Sequence, residues 1–170
     1  MVLSVDDVVA KFPMKKMPNI DGEPNYGNIN TMMQLLYGNA ASLPTTLVGG
    51  QHGHIGIIMT PQLYTTLANT PYKSSPDPGI TPTHVIEATA EIQQTDFLVH
   101  KEGRRIYDDH QTMKDALKSI IIDVVDKVYI GELRNKYTGY LGITARDLLD
   151  HLLDCYGNIT PADVEECKNR

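Results

Sequence analysis

Residues 113–128 read MKDALKSIIIDVVDKV. The apolar side chains of this stretch recur three and four residues apart, at Met113, Leu117, Ile120, Ile121, Val124 and Val128. Because an α-helix completes a turn every 3.6 residues, this spacing puts the apolar side chains on one face and the charged side chains on the other. The stretch therefore predicts an amphipathic helix with one face buried in a core.

Two helices are predicted on the N-terminal side of this stretch. The first covers about residues 28–42, with the side chain of Asn28 as its cap and Pro44 as its stop. The second covers residues 60–68, because the hydroxyl of Thr60 followed directly by proline favours the start of a helix.

Helices are also predicted on both sides of the amphipathic stretch in the C-terminal half. A long, fairly polar helix is expected from Thr83 to about Asp109, despite Gly103 within it. A later helix begins at Thr144, because an acidic residue three positions on completes the pattern of a capping box. Gly157 stands where the left-handed residue that ends such a helix is expected. The sequence Thr-Pro-Ala-Asp at residues 160–163 predicts one last short helix.

Three segments have no clear helical pattern. Residues 1–27 contain a short amphipathic piece at residues 5–12, but prolines interrupt any longer element, so we expect an extended N-terminal arm. Residues 69–82 contain four prolines and predict a surface loop. The apolar run at residues 55–59 fits a short buried helix or a strand, which periodicity cannot distinguish. Together these features predict an all-α bundle of five to seven helices over residues 28–170.

The composition agrees with a helical core and argues against nucleic-acid binding. The 170-residue chain has no Trp and only two Phe, so Leu, Ile, Val and Met must form the core, as in aliphatic helical bundles. Its net charge is −6, and the basic pairs Lys15-Lys16 and Arg104-Arg105 are short. Because nonspecific binding to a phosphate backbone needs clustered basic residues, we expect this chain itself not to bind RNA.

The cysteines and the N-terminus indicate a reducing compartment. Cys155 and Cys167 lack a CxxC spacing, which favours reduced thiols over a disulfide. Asp6 and Asp7 stand where a signal peptide carries basic residues, and no stretch approaches the ~20 apolar residues that a membrane span needs. We therefore expect a cytoplasmic protein that has no membrane partner.

Two histidines, His52 and His54, are the first candidates for chemistry. Side chains at positions i and i+2 share one face of a strand, so both imidazoles can reach one metal ion. A zinc site needs a third and usually a fourth ligand, and Asp108, Asp109 and His110 supply no recognised spacing. The alternative is that the adjacent glycines allow a tight turn and the histidines hydrogen-bond the backbone around it. Nucleophile motifs and phosphate-binding loops are missing, so we expect no catalytic residue and no cofactor.

A cluster of tyrosines and leucines around an arginine precedes the Thr144 helix. Its members are Tyr129, Leu133, Arg134, Tyr137, Tyr140 and Leu141. Tyrosine and arginine are favoured at protein interfaces, so the cluster predicts an oligomer interface. The alternative is that these side chains cover the turn before the following helix within one domain.

Three stretches of the C-terminal third resemble a known family. They are LRNKYTGY at residues 133–140, TARDLLDHL at residues 144–152 and YGNITPAD at residues 156–163. In order and spacing they are similar to the Gag region of copia-type LTR retrotransposons, particularly a divergent group from diatom and other algal genomes. GGQHGH at residues 49–54 and the proline-rich loop resemble the same group, and the likeness covers residues 28–166.

This resemblance implies a structural function. Gag capsid domains are helical bundles whose copies join into pentamers and hexamers around the RNA of the element, and the family has no catalytic residues in this region. The resemblance implies self-association into a virus-like particle, with RNA bound only through regions absent from this chain, such as a zinc knuckle or a basic tail. Two alternatives are a domesticated Gag-derived module that binds a host protein and a metal-dependent enzyme built on His52 and His54.

Overall fold

The computed structural model describes residues 3–46, 50–84 and 88–159, together with residue 165. The chain is mostly helical, at 60% helix, and the described ranges contain no sheet. Their α-helices are α1 (Val5–Lys11), α2 (Tyr26–Ser42), α3 (Pro61–Ala68), α4 (Ala90–Val124), α5 (Lys127–Ile130) and α6 (Ala145–Tyr156). The prediction of an all-α bundle is confirmed.

Helix α4 is the central element and is continuous over 35 residues. The sequence predicted two helices meeting near Asp109, but no residue there breaks a helix, so the polar and the amphipathic stretches form a single one. The helix begins later than expected, after Thr89, whose hydroxyl accepts a hydrogen bond from the Ile92 amide. It ends at Val124, so Val128 does not belong to its buried face and is 74% exposed in α5.

The core lies between the second half of α4 and helices α1, α2 and α6. The apolar side chains that α4 buries are Met113, Ala116, Leu117, Ile120, Ile121 and Val124. Side chains with no exposed surface on α2 and α6 pack in the same cluster: Ile29, Leu36, Leu148, Leu149 and Leu152. Aliphatic side chains thus dominate the core, as the composition indicated.

The helix ends follow the predicted caps in part. The Thr144 hydroxyl accepts a hydrogen bond from the Asp147 amide at 3.1 Å, and the Asp147 carboxylate accepts one from the Thr144 amide at 2.9 Å, which confirms the capping box. Helix α2 has the same arrangement but is capped by Asn25, while Asn28 is its third residue. The left-handed cap predicted at Gly157 is wrong, because its φ is −83°.

The N-terminal segment is packed into the bundle, unlike the extended arm expected for residues 1–27. Helix α1 lies within it, and Val8 and Phe12 are each only 1% exposed. Beyond α1, the side chain of Asn39 accepts a hydrogen bond from the Met14 amide at 3.0 Å and donates one to the Met14 carbonyl at 2.9 Å. A single side chain therefore satisfies both backbone groups of one residue in this segment.

The same segment is attached a second time at the end of α4. The amide of Ile20 donates a hydrogen bond to the Val124 carbonyl at 2.9 Å, and Met17 is 3% exposed. The prolines shorten the helical element here, but the apolar side chains between them are still buried because hydrophobic burial does not depend on regular structure. Residues 3–27 therefore share one core with the helices that follow.

Two irregular regions lie beside the helices. Ile55–Ile57 forms a short 3-10 helix with Ile55 buried, so of the two alternatives for this apolar run the short helix is correct, in 3-10 form. Residues 69–84 are irregular and are called the strap below; a loop was predicted for residues 69–82, whereas a helix was expected from Thr83. The strap contacts the first half of α4, with Arg104 lying 3.2 Å from the Asp77 carboxylate and His84 lying 2.9 Å from the Asp96 carboxylate.

Some predicted features fall outside the described residues. These are residues 85–87 of the helix expected from Thr83, Cys167, and the last short helix after Thr160, of which only Glu165 is described, in helical conformation. Among the residues that are described, no helix combines the length and the apolar character that crossing a membrane requires.

Candidate functional site

A cluster of histidine and tyrosine rings joins the turn at residues 50–59 to α3, the strap and α4. The rings of His54 and His110 lie 5.9 Å apart and are 7% and 0% exposed. The hydroxyl of Tyr72, from the strap, lies 3.3 Å from Nε2 of His110. The Tyr72 ring also meets Tyr64 of α3 at a centroid distance of 5.2 Å, with the two ring planes 67° apart. Four separate parts of the chain therefore meet at these rings.

Two glycines allow this close approach. Gly53 has a φ of +56°, and a Cβ at this position would lie 2.8 Å from the Ala40 carbonyl oxygen. The turn consequently rests with its backbone on the end of α2, where the His54 amide donates a hydrogen bond to Ala40 at 2.8 Å. At Gly56, a Cβ would overlap the ring of Tyr72.

The turn fits the interpretation in which the histidines hydrogen-bond the backbone. The ring of His54 bonds the backbone of Pro44, and because proline has no N–H, the ring must donate to its carbonyl. Nδ1 of His54 is buried without a partner, so the donor is Nε2. His52 instead lies against Tyr64, at a ring distance of 6.4 Å. The two histidines of the motif thus contact different rings.

Burial keeps the two inner imidazoles uncharged at neutral pH. It lowers the pKa of His110 to about 4, and the charges on Lys114 and His54 act in the same direction. Burial also lowers the pKa of His54, although the nearby Asp109 carboxylate opposes this effect. The pKa of the Tyr72 phenol is raised, again chiefly by burial. A proton on either inner histidine would therefore place a charge in a site that poorly solvates it.

The described residues provide no complete metal site. No group of three or more His, Cys, Asp or Glu side chains among them is arranged to hold an ion. The acid nearest to His54, Asp109, is paired with Arg105 at 2.9 Å. The hypothesis of a metal site at His52 and His54 therefore finds no third ligand in this part of the chain.

The one cysteine in the described ranges lies beside a histidine on α6. Cys155 is a free, exposed thiol, with its Sγ 3.8 Å from Nδ1 of His151. Nε2 of the same ring lies 3.0 Å from the Tyr129 carbonyl, which can only accept, so Nε2 carries the proton and Nδ1 is left as the acceptor. The ring of His151 is thus held between the Tyr129 carbonyl and the Cys155 thiol.

The tyrosine cluster before α6 divides into a packed part and an exposed part. In the packed part, Tyr129, Leu133 and Tyr140 lie against the core. The ring of Tyr129 meets Tyr156 of α6 edge-on at 5.4 Å, and the Tyr140 hydroxyl donates to the Ile130 carbonyl at 3.4 Å. These three side chains cover the turn before α6, which is the intramolecular alternative.

The exposed part is available to a partner. Tyr137 is 86% exposed and Leu141 is 76% exposed, and the exposed Arg134 lies close to them in sequence. Val128, which the sequence placed on a buried helix face, is also exposed in this region of the chain. Half of the predicted interface residues, namely Arg134, Tyr137 and Leu141, are therefore exposed to solvent in the monomer.

A second exposed surface was not recognised from the sequence. The outer half of α4, residues 90–107, contains no buried residue and extends for about 27 Å at 1.5 Å per residue. Four of its large apolar side chains are more than half exposed: Ile92 at 51%, Phe97 at 52%, Leu98 at 55% and Val99 at 68%. Three of these are consecutive, and consecutive residues of a helix cannot share one buried face. This run of consecutive apolar residues was the feature of the sequence that could have identified the exposed surface.

Comparison with known proteins adds no relative. The chain matches no protein-family model, and neither a curated protein nor a solved structure matches it. The likeness to copia-type Gag therefore stays a prediction.

Proposed function

We propose that this chain is a structural domain of the Gag capsid type that self-associates in the cytoplasm, and that the outer half of α4 joins two copies. The observation that carries the proposal is the exposure of four large apolar side chains on this helix segment. Exposed apolar groups scattered singly are ordinary, but three consecutive ones on one helix, as at Phe97, Leu98 and Val99, are typical of a segment that contacts a partner. RNA would be bound only by regions outside this chain.

The strap leaves most of the outer half uncovered. Its ion pairs and hydrogen bonds to the helix reach Asp96, His100 and Arg104, which are four residues apart and therefore share one face of the helix. Leu98 lies on a different face, about 160° around the helix from His100 at 100° per residue. A partner helix can thus approach along the Leu98 face without displacing the strap.

The charges around Leu98 favour a second copy as the partner. Glu91 lies seven residues before Leu98 and Arg105 lies seven residues after it, so all three share one face. When two copies cross in antiparallel orientation at Leu98, Glu91 of each copy faces Arg105 of the other. The same pattern holds more broadly, because residues 90–98 contain two acids and no base, whereas residues 99–107 contain three bases and one acid.

This contact is expected to be weak by itself. Fully burying one large apolar side chain contributes about 1.5–3 kcal/mol, and these side chains are already half covered. Association costs at least about 4 kcal/mol in lost freedom of movement, so a pair of α4 segments gains only a modest surplus. A closed shell needs a second, different contact on each copy, and the exposed Tyr137 and Leu141 are our proposed location for it.

Light scattering over a concentration series tests the α4 contact. We expect the average mass of the unaltered chain to rise with concentration, and Leu98→Ser to shift that rise to at least tenfold higher concentration because the central apolar contact is lost. The matched control is Leu63→Ser on α3, since Leu63 is 53% exposed and lies outside the proposed contact. A chain that stays monomeric throughout, or a control that weakens association equally, would contradict the proposal.

Charge reversal tests the orientation of the two copies. Glu91→Arg and Arg105→Glu should each weaken association, because each places like charges opposite one another. The double variant restores opposite charges and should recover most of the association seen in the unaltered chain. A double variant that is weaker than either single variant would exclude the antiparallel crossing at Leu98.

A further inference from the structure

A cavity of about 360 Å³ lies between the second half of α4, the strap and residues 141–145. Two lysines of α4 line it, Lys114 and Lys118, which are four residues apart and therefore lie on the same face of the helix. Gln111, one turn earlier on that face, and Ser74 of the strap add neutral polar groups. The cavity is thus lined by two lysines of α4, by the carboxylate of Asp115 that follows Lys114 in sequence, and by neutral hydrogen-bonding groups.

The positive charge in this cavity is only partly compensated. Lys114 makes no hydrogen bond or ion pair with any residue that the structure describes. Lys118 has a side chain that is 17% exposed, and its Nζ lies 3.5 Å from the Asp115 carboxylate and 3.4 Å from the Tyr140 carbonyl. Both distances exceed the 2.7–2.9 Å usual for charge-assisted hydrogen bonds. One acid, at long range, therefore faces two bases.

The two lysines repel each other electrostatically, and a bound anion can remove this repulsion. Like charges at positions i and i+4 of a helix repel each other, and this repulsion is stronger where one ammonium group is largely withdrawn from water. The first residues of α6, Thr144 and Ala145, line the same cavity, and the peptide dipoles of that 12-residue helix add to the positive potential. The Asp147 carboxylate at the α6 cap offsets only part of it.

We propose that this cavity binds a small anion carrying a phosphate or carboxylate group, with Lys114 as its direct ligand and Lys118 as the second cation. An anionic oxygen gives the unpaired Lys114 ammonium a charge-assisted hydrogen bond and neutralises the repulsion between the lysines. The Gln111 amide and the Ser74 hydroxyl supply further donors. The site contains no residue of the outer half of α4, so it does not depend on the proposed α4 contact, although Leu141 of the proposed second contact also lines it.

Calorimetric titration of the full chain tests the site, with inorganic phosphate in one arm and citrate in the other. Sodium chloride keeps the ionic strength constant, so that general screening is the same in every titration. We expect saturable binding of at least one anion, and a loss of about tenfold or more in affinity for Lys114→Gln, because one charge-assisted bond is removed. The matched control is Lys127→Gln on α5, an exposed lysine that does not line the cavity.

Lys114→Gln should fold normally, since Lys114 has no partner to lose, and its circular dichroism spectrum checks this. A second readout is the pKa of His110, which the charge on Lys114 helps to lower. Bound phosphate should raise that pKa in the unaltered chain and leave it unchanged in Lys114→Gln. Absence of saturable binding by both anions, or equal affinity in the unaltered chain and Lys114→Gln, overturns the proposal. If only phosphate or only citrate binds, the result shows whether the site takes a phosphate or a carboxylate group.

Discussion

The two halves of α4 belong to one continuous helix but have opposite relations to the rest of the molecule. The inner half, residues 108–124, buries seven side chains, whereas the outer half buries none. Since the backbone hydrogen bonding is the same in both, the difference arises from what packs around each half. The core needs only the inner half, so the outer half is free to carry a surface, and His110 marks the boundary between them.

Truncating one leucine in each half should give the largest contrast. Leu117 is 0% exposed, so Leu117→Ala leaves a cavity and should lower the free energy of unfolding by about 2–5 kcal/mol. Leu98→Ala, at 55% exposure, should lower it by less than about 0.5 kcal/mol. Urea unfolding of dilute protein measures both. Comparable losses would mean that the outer half also supports the monomer fold.

Acid should destabilise the fold by protonating His110, the residue at the boundary between the two halves of α4. Burial lowers the pKa of His110 to about 4 in the folded chain, below its ordinary value of 6.5, so the unfolded chain binds more protons between pH 4 and pH 6.5. The contribution of neutral His110 to the free energy of unfolding is therefore fully present above pH 6.5. It is lost as the pH falls towards 4, by about 3 kcal/mol in all. The lowered pKa of His54 acts in the same direction.

Urea unfolding at pH 7 and at pH 4.5 measures this loss. We expect His110→Gln to be less stable than the unaltered chain at pH 7 but to lose less of its stability on acidification, because the buried titrating group is gone. The control is His100→Gln in the outer half, which should keep the pH dependence of the unaltered chain. An identical acid response in His110→Gln and the unaltered chain would contradict the assignment to His110.

The smallest expected effect concerns Gly103, inside the outer half. A Cβ there meets only the Cβ of Pro78, at an ordinary 3.6 Å, so Gly103→Ala adds helix preference without a clash. Local opening of the outer half should become about 0.5–1 kcal/mol less favourable, which slows amide hydrogen exchange there about two- to fivefold. Amides near Leu117 should be unaffected, and slowing of both halves alike would show that they open together.

The sequence predicted the inner half and the start of α6 because the signals for both are local. The spacing from Met113 to Val124 identifies a buried helix face without reference to any partner. The Thr144 capping box likewise requires only two residues three positions apart. Signals of this kind depend only on residues within one or two helical turns. Here they predicted the all-α class of the fold and several helix boundaries.

Features that depend on distant partners were not predictable from those patterns. Phe12 is buried against elements much later in the chain, so its neighbouring prolines suggested an arm instead. His54 and His110 were both noticed in the sequence, but only the folded chain sets their rings 5.9 Å apart. Leu98 was not singled out, because whether an apolar helical residue is covered depends on the other elements. The cavity beside Lys114 also requires three distant segments.

The hydrogen bond between Ile20 and Val124 has a consequence for synthesis on the ribosome. Helix α1 contacts α4, so the packing of N-terminal apolar side chains such as Phe12 cannot be completed until α4 has emerged about a hundred residues later. At ~5–20 residues per second, this interval lasts roughly 5–20 s. During that time the nascent chain presents a short hydrophobic stretch that chaperones can bind. Its folding is completed only when the two separated segments meet.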